Sequence, residues 1–215
     1  QLYDWVGGTI DSGWSQGNNE WNAHYKGIAR ANTILYSLDK AKESLTEEKI
    51  AQYAGEAKFF RASFYMYLIH AFGDVPFYTE YISLEEAYEM GRTDREVILQ
   101  QIYKDYDDAA AVLPEVYTGT VRVTKGAALA MKARAALLMN DWATCAAAAK
   151  ACMDLKVYSL HPDFEEFFHS KTKTSPELIF ALPYSNELGL TTFNAASVKS
   201  FLPRNAGGTS VAQPS

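Results

Sequence analysis

The 215-residue chain is 48% hydrophobic and 21% charged, which is typical of a folded globular protein with one sizeable core. Its formal net charge is −6 at pH 7, and it has no cluster of lysine and arginine, so it lacks the concentrated basic face on which nucleic-acid binding depends. No run of about 18 apolar residues occurs, and the sequence therefore predicts no membrane-spanning helix.

The first 20 residues are predicted to form a loop. Glycine-containing turns at 7–8, 11–13 and 17–19 interrupt any helical or strand periodicity. Trp5 precedes the first turn, and Trp14 lies between the second and the third. This composition predicts neither a helix nor a strand before Trp21.

Two long amphipathic helices are predicted next. The inward stripe of the first, with spacings of four, three, four and three residues, consists of Trp21, Tyr25, Ile28, Asn32 and Leu35. Thr46 caps the second helix, and Gly73 and Pro76 end it. The predicted inward stripe of the second helix consists of Tyr53, Ala57, Phe60, Phe64, Tyr67 and Ala71.

A third helix follows a short extended piece at 75–81. A capping box at 93–96 opens this helix, and Pro114 ends it. Its predicted inward stripe consists of Ile98, Ile102, Asp105, Ala109 and Val112.

An alanine-rich pair of antiparallel helices is predicted at 125–139 and 142–155. Thr124 caps the first of them, and Asn140 with Asp141 turns the chain into the second. The many alanines let two helices approach closely, and the unit spans about 33 residues, near the period of a tetratricopeptide repeat. The bulky consensus positions of that repeat are hard to place, so the prediction depends on helix pairing, with the period as support.

The last part of the chain is predicted to contain one short strand. Five consecutive apolar residues at 178–182 suit a buried strand, and the chain is predicted to be loop from Ser185 onward.

The sequence contains no recognisable catalytic or cofactor motif. It has no phosphate-binding glycine loop, dinucleotide fingerprint, nucleophile elbow or paired-histidine metal motif. Its four histidines share no ligand spacing: His24, His70, His161 and His169. Cys145 and Cys152 lie about 10 Å apart along one helix, beyond disulfide reach, and are predicted to be free and buried. We therefore expect no catalysis, no metal and no cofactor.

Eight of the 26 acidic residues form adjacent pairs, at 47–48, 85–86, 107–108 and 165–166. Adjacent residues do not face one site on a helix, so these pairs are predicted to be solvated. Glu56 and Asp105 differ, because each lies on or beside an apolar stripe. They are predicted to pair inside the bundle with Arg61, Arg30 or Arg134.

One helix and the turn after it resemble a family hallmark. At 56–65 the chain reads EAKFFRASFY, and at 72–76 it reads FGDVP. These segments closely resemble the SusD-like (RagB/SusD) proteins, in which a helix with the pattern EA, F, RA, Y and L runs into a Gly-Asp-x-Pro turn. Further similar segments occur in the same order at 21–32, 92–114, 124–142, 158–160, 167–168 and 175–180. The resemblance is collinear from about residue 20 to about residue 185.

The resemblance implies both a fold and a function. The implied fold is an all-α, tetratricopeptide-repeat-like helical bundle with a loop-rich ligand-binding face and minor β content. The implied function is non-enzymatic capture of glycans at the cell surface and their delivery to a SusC-like TonB-dependent transporter. Family members are lipoproteins of the outer membrane, anchored through an N-terminal lipidated cysteine.

The chain departs from the family pattern at both ends. The leader and the lipidated cysteine are absent, and the chain stops where family members usually continue into a second, ligand-shaping half. The expected organisation is an N-terminal ligand-loop segment at 1–20, the helical repeat domain at 21–185, and the loop-rich start of a truncated C-terminal half at 186–215.

A glycan site is predicted on the loops outside the helices. The chain is rich in aromatic residues, with 14 Tyr, 11 Phe and 4 Trp. A pyranose needs a flat exposed aromatic ring for its C–H face and hydrogen-bonding groups for its hydroxyls. The predicted ligand-binding residues are Trp5, Trp14, Asn18, Asn19, Phe201 and Arg204. The alternative for Trp5 and Trp14 is a structural role as plugs between the loops and the bundle, and Trp21 is assigned to the core.

Two other functions stay open. A helical-repeat scaffold would grip a partner peptide on its concave face, whereas aromatic residues on loops favour glycan capture. A hydrolase would need two carboxylates facing each other across a cleft, which no pair in the sequence suggests.

Overall fold

The computed structural model describes residues 11, 13–117, 122–167 and 175–181. The chain divides into two compact units. One consists of Gln1–Ser15 with Leu182–Ser215, and the other is Gln16–Ala181, which includes nearly all described residues.

The described residues are mostly helical, which confirms the predicted all-α class. The elements in chain order are α1 Ser15–Leu38, a 3₁₀ helix Lys40–Glu43, α2 Glu47–Phe72, α3 Leu84–Glu89, α4 Arg95–Val112, α5 Lys125–Leu138, α6 Trp142–Asp154 and α7 Phe164–Phe167. The β content of the described residues is one isolated antiparallel bridge, between Val75 and Thr93. None of these helices combines the length and hydrophobicity that crossing a membrane requires.

Side-chain caps begin the helices largely as the sequence predicts. Thr46 accepts a hydrogen bond from the Lys49 amide, and Thr124 caps α5 in the same way. The cap of α4 is Asp94, one residue later than the predicted box, while a full capping box at Ser83 opens the unpredicted helix α3. Local sequence therefore determines where these helices begin.

The prediction that residues 15–20 form a loop was wrong, because α1 begins at Ser15. Gly17 within the first turns costs only about 1 kcal/mol relative to alanine, which is too little to prevent a helix of this length. Just before the helix, Asp11 accepts hydrogen bonds from the amides of Gly13 (2.9 Å) and Trp14 (3.1 Å).

Helix α2 is the central element and packs along α4, with which it forms most of the core. Its buried stripe has alternating spacings of three and four residues and consists of Gln52, Gly55, Phe59, Ala62, Met66 and Ile69. On α4 the predicted residues Ile98, Ile102, Asp105 and Ala109 are buried, whereas Val112, in the last turn, is 44% exposed.

The predicted inward stripe of α2 was wrong in phase. Of its six residues only Ala57 is buried, while Phe60 and Tyr67 are 37% and 40% exposed. This stripe lies beside α1, where the ring of Phe64 fits against Gly27. A helix with aromatic residues on two sides offers two stripes of helical period, and periodicity does not tell which of them faces the core.

A buried arginine connects α2 to α1 and α4. Arg61 is 4% exposed, and it donates to both Asp105 oxygens, from Nε at 2.7 Å and from Nη2 at 2.8 Å. Its Nη1 donates to Asn32 Oδ1 (2.8 Å) and to the Thr79 carbonyl (2.7 Å). Gln101 Nε2 adds a bond of 2.9 Å to Asp105. The predicted pairing of Asp105 with Arg61 is confirmed.

The predicted partners of Glu56 were wrong. Glu56 forms a two-bond ion pair with Arg122, whose Nε and Nη2 lie 2.8 and 2.6 Å from its carboxylate oxygens. Arg30 and Arg134, two of the predicted partners, are exposed. Arg122 lies in the connection between α4 and α5, where helical periodicity gives no information about its position.

The hydroxyls of two tyrosines, the buried Tyr65 and the half-buried Tyr25, fix the extended segment that follows α2. Tyr65 donates to the carbonyl of Tyr78 (2.8 Å) and accepts from its amide (2.9 Å). Tyr25 donates to the carbonyl of Pro76 at 2.7 Å. Burial raises the pKa of both hydroxyls, so they stay protonated donors at any physiological pH.

Helices α5 and α6 form the predicted alanine-rich antiparallel pair. Ala127 and Ala135 are fully buried, and Asn140 turns the chain with a positive φ of 61°, which asparagine tolerates better than most residues. Cys145 and Cys152 are free, as predicted, but only Cys152 is buried, since Cys145 is half-buried.

The strand predicted at 178–182 is absent from its described residues, 178–181. The surrounding elements are helices, which offer no strand edge for backbone hydrogen bonding. The apolar side chains of the segment pack against the core instead, where the Phe180 ring lies 5.5 Å from that of Phe59. Leu182 lies outside the described residues.

The corrected phase of α2 predicts opposite outcomes for two neighbouring phenylalanines. Phe59→Ala should destabilise the protein by about 3–5 kcal/mol, because the ring is 1% exposed and its loss leaves a cavity. The matched control Phe60→Ala should cost below about 1.5 kcal/mol, since that ring is 37% exposed. Urea unfolding measures both free energies, and equal losses would contradict the assignment.

The buried arginine predicts a large loss on neutralisation. Arg61→Leu leaves Asp105 buried without its counter-charge and should cost about 3–5 kcal/mol. Arg30→Leu, at an exposed position of α1, is the control and should stay within about 0.5 kcal/mol. The double variant Arg61→Leu/Asp105→Leu should recover part of the loss. Urea unfolding at pH 7 tests the series, and the network would have no such role if the two single variants behaved alike.

Candidate functional site

The structure describes three of the six predicted ligand-binding residues. Trp14 directly precedes α1 and is half-buried, and it belongs to the smaller unit. Asn18 and Asn19 are exposed in the first turns of α1, within the larger unit, so they lie on a helix and not on the predicted loop. The other three, Trp5, Phe201 and Arg204, lie outside the described residues. The six-residue glycan site therefore stays a prediction.

Trp21 has the structural role that its position in the stripe predicts. Its ring packs 4.9 Å from that of Tyr25 and 5.2 Å, edge to face, from that of Phe72, and it joins the side of the core. Trp21 therefore links the start of α1 to the end of α2.

His24 has local partners that fit a structural role. The His24 ring stacks on Tyr67 at 4.1 Å with an interplanar angle of 10°, and its Nδ1 lies 2.6 Å from the Glu20 carbonyl. His70 is exposed on α2. In the described ranges, no group of three or more His, Cys, Asp or Glu residues could hold a metal ion.

A cleft lies between α1 and the extended segment that leads to α3. We call it the Tyr81 cleft, and its volume is about 240 Å³. It is lined by Ala29, Asn32, Thr33, Tyr78, Glu80, Tyr81, Ile82, Ser83 and Ala87. Asn32 Nδ2 donates to the carbonyl of Glu80 at 3.0 Å, which joins the two sides of the cleft.

Exposed tyrosines lie at the mouth of the Tyr81 cleft. Tyr81 is 64% exposed and Tyr36 is 55% exposed, and their rings stack with centroids 5.6 Å apart and planes 26° apart. Lys40 Nζ lies 5.0 Å from the centre of the Tyr36 ring. These rings present flat apolar surface to solvent beside hydroxyl, carboxylate and backbone groups of the cleft.

Sequence reasoning missed this cleft. Tyr36 and Tyr81 lie on different elements, and they meet only because the chain turns back after α2. The signals available in the sequence were the high tyrosine content and the polar Asn32 within an apolar stripe. Neither signal shows which distant segment the tyrosines of α1 will meet.

The family model for SusD-like proteins, described as "Starch-binding associating with outer membrane", matches residues 3–137. SusD-like protein P25 of Formosa agariphila is 30% identical over 178 residues, which cover 80% of this chain and 33% of that protein. The chain belongs to the SusD-like family.

Solved structures agree with this assignment. A SusD-like carbohydrate-binding protein of Bacteroides fragilis is 30% identical, with a TM-score of 0.71 over 79% of this chain and 34% of its own. Surface glycan-binding protein A of Bacteroides uniformis is 26% identical, with a TM-score of 0.70 over 77% of this chain and 38% of its own. The chain thus spans about a third of the length of these relatives.

Proposed function

We propose that the chain is the helical platform of a cell-surface glycan-binding protein that captures neutral oligosaccharides without chemically changing them. The family match over residues 3–137 is the observation that supports this most strongly. The carbohydrate-binding relative from B. fragilis and the glycan-binding relative from B. uniformis point the same way. A net charge of −6 suits a neutral ligand better than a polyanion.

We further propose that the captured glycan passes to a SusC-like TonB-dependent transporter and that an N-terminal lipid anchors the protein at the outer membrane. The family's association with the outer membrane supports both proposals. Co-purification of the full-length protein with the product of a neighbouring transporter gene is the test. A protein that never co-purifies with a transporter, and whose gene has no such neighbour, would count against delivery.

The ligand is proposed to bind at the six predicted residues around Trp14, for the chemical reason given by the sequence. Tryptophan offers the largest flat surface for the C–H face of a pyranose, and asparagine amides can both donate to and accept from its hydroxyls. The exposure of Asn18 and Asn19 leaves their amides accessible to a ligand.

A helical-repeat scaffold is the second candidate. The outward side of the α5–α6 pair exposes apolar residues, with Trp142 62% and Met153 76% exposed. An apolar exposed helix face is a feature of protein interaction surfaces. Glycan binding by the isolated chain would favour the first candidate, and its absence together with capture of a protein partner would favour the second.

Removing the Trp14 ring should weaken glycan binding. A stacking ring that contributes about 1–2 kcal/mol accounts for a loss of about 5–30-fold in affinity. Calorimetric titration of Trp14→Ala is done with whichever glucan the parent chain binds, maltoheptaose or laminarihexaose. Trp142→Ala is the control, because this ring is 62% exposed on α6 and is not among the predicted glycan-binding residues.

Thermal unfolding of the same variants separates binding from folding. A large fall in melting temperature for Trp14→Ala alone would show that Trp14 is a structural plug. Unchanged affinity with an unchanged melting temperature would remove Trp14 from the site.

Chelation should leave glycan binding unchanged. The sequence contains no metal-ligand motif, so EDTA at millimolar concentration should not alter the calorimetric affinity of the chain for its glucan. A loss of binding that added calcium restores would reveal a calcium site built from loop oxygens.

A further inference from the structure

The Tyr81 cleft has the size and lining of a sugar site, and it lies at the end of α1 opposite the predicted residues Asn18 and Asn19. We propose that this cleft is a second binding site for one neutral sugar ring of a glycan. The proposal deepens the proposed function and rests on it.

The volume of the cleft suits a single ring. At about 240 Å³ it lies below the range of about 300–1,000 Å³ that is usual for sites of drug-sized ligands. One pyranose would occupy the cleft, and neighbouring units of a longer glycan would run across the exposed tyrosines at its mouth.

Tyr81 provides the stacking surface. Its ring lines the cleft and is still 64% exposed although it also stacks on Tyr36. Because Tyr36 supports the ring from beside it, Tyr81 loses less side-chain freedom on binding than an isolated exposed tyrosine would.

Two hydroxyl groups of the cleft keep hydrogen-bonding capacity for a ligand. Thr33 donates its proton to the Ala29 carbonyl (2.8 Å), so its oxygen can still accept. Ser83 accepts from the Glu86 amide (3.2 Å) and its hydroxyl also bonds to the Glu86 carboxylate, which leaves one lone pair of its oxygen for a ligand. The two hydroxyl oxygens can therefore each accept a hydrogen bond from a sugar hydroxyl.

The cleft is preformed, because buried groups hold both of its sides. Asn32 accepts from Arg61 through its amide oxygen and donates to the Glu80 carbonyl through its amide nitrogen. These two hydrogen bonds fix the distance between α1 and the extended segment. Tyr65 binds the backbone of Tyr78 through two hydrogen bonds. A sugar would bind without having to order these elements first.

The charges around the cleft are mostly acidic, with Lys40 beside Tyr36 as a cation at its mouth, and this balance selects against acidic glycans. Glu80 lines it, and Glu85, Glu86 and Glu89 follow on α3. Hydrogen bonds from the backbone and side chain of Ser83 lower the pKa of Glu86, which therefore stays ionised at neutral pH. Uronic acids and sulfated sugars would be repelled, and neutral hexoses would not.

The test is nuclear magnetic resonance of the whole 215-residue chain, titrated with maltoheptaose, laminarihexaose and an oligogalacturonide. We expect the amide signals of Thr33 and Ile82 to shift and saturate with at least one of the neutral glucans and to stay in place with the acidic sugar. Tyr81→Ala should weaken this binding by about 5-fold or more. The matched control Tyr88→Ala, 80% exposed and outside the lining of the cleft, should leave it unchanged.

Trp14→Ala separates this proposal from the proposed function. Saturating shifts at Thr33 and Ile82 that persist in Trp14→Ala and disappear in Tyr81→Ala would establish an independent second site. Shifts that neither glucan produces at these amides, while the Trp14-dependent binding persists, would overturn the second site alone. A parent chain that binds neither glucan anywhere would overturn both, and tighter binding of the oligogalacturonide would overturn the neutral specificity.

Discussion

The buried guanidinium of Arg61 constrains the structure more than any other group. A charge at 4% exposure is tolerated only when it is paired and its donors are satisfied, and here the partners come from three other segments. Asp105 belongs to α4, Asn32 to α1, and the Thr79 carbonyl to the segment after α2. Satisfying one side chain therefore fixes the mutual positions of four parts of the chain, and apolar packing alone does not demand so specific an arrangement.

The turn after α2 places one of the hydrogen-bond partners of Arg61. Gly73 ends the helix at a φ of 73°, a conformation that side-chain-bearing residues rarely adopt. The chain then pairs Val75 with Thr93 and continues to Thr79, whose carbonyl reaches Arg61. The arginine and the Gly-Asp-x-Pro turn belong to one family hallmark, and the structure gives a physical reason for their association: the turn delivers an acceptor that the buried arginine needs.

A structural feature could be predicted from the sequence when the residues that cause it lie close together along the chain. Capping residues such as Thr46 and Thr124 act within one turn, and they set helix starts correctly. The choice between Phe59 and Phe60 as the buried ring depends on which neighbours surround α2, and no local pattern contains that information. The ion pair of Asp105 was predictable because an acid within an apolar stripe needs a cation, whereas the Tyr81 cleft depends on a chain reversal.

The described tyrosines include a buried group and an exposed group with different roles. Tyr65 and Tyr106 are fully buried, and hydrogen bonds engage their hydroxyls, so they belong to the frame. Tyr36 and Tyr81 are mostly exposed, so their rings contribute less apolar burial to the core than Tyr65 and Tyr106 do. A rigid frame with exposed rings suits a ligand that is captured and released repeatedly, because stacking on a preformed surface requires little reorganisation in either direction. The frame that fixes the rings thus also fixes the position of the proposed second sugar site.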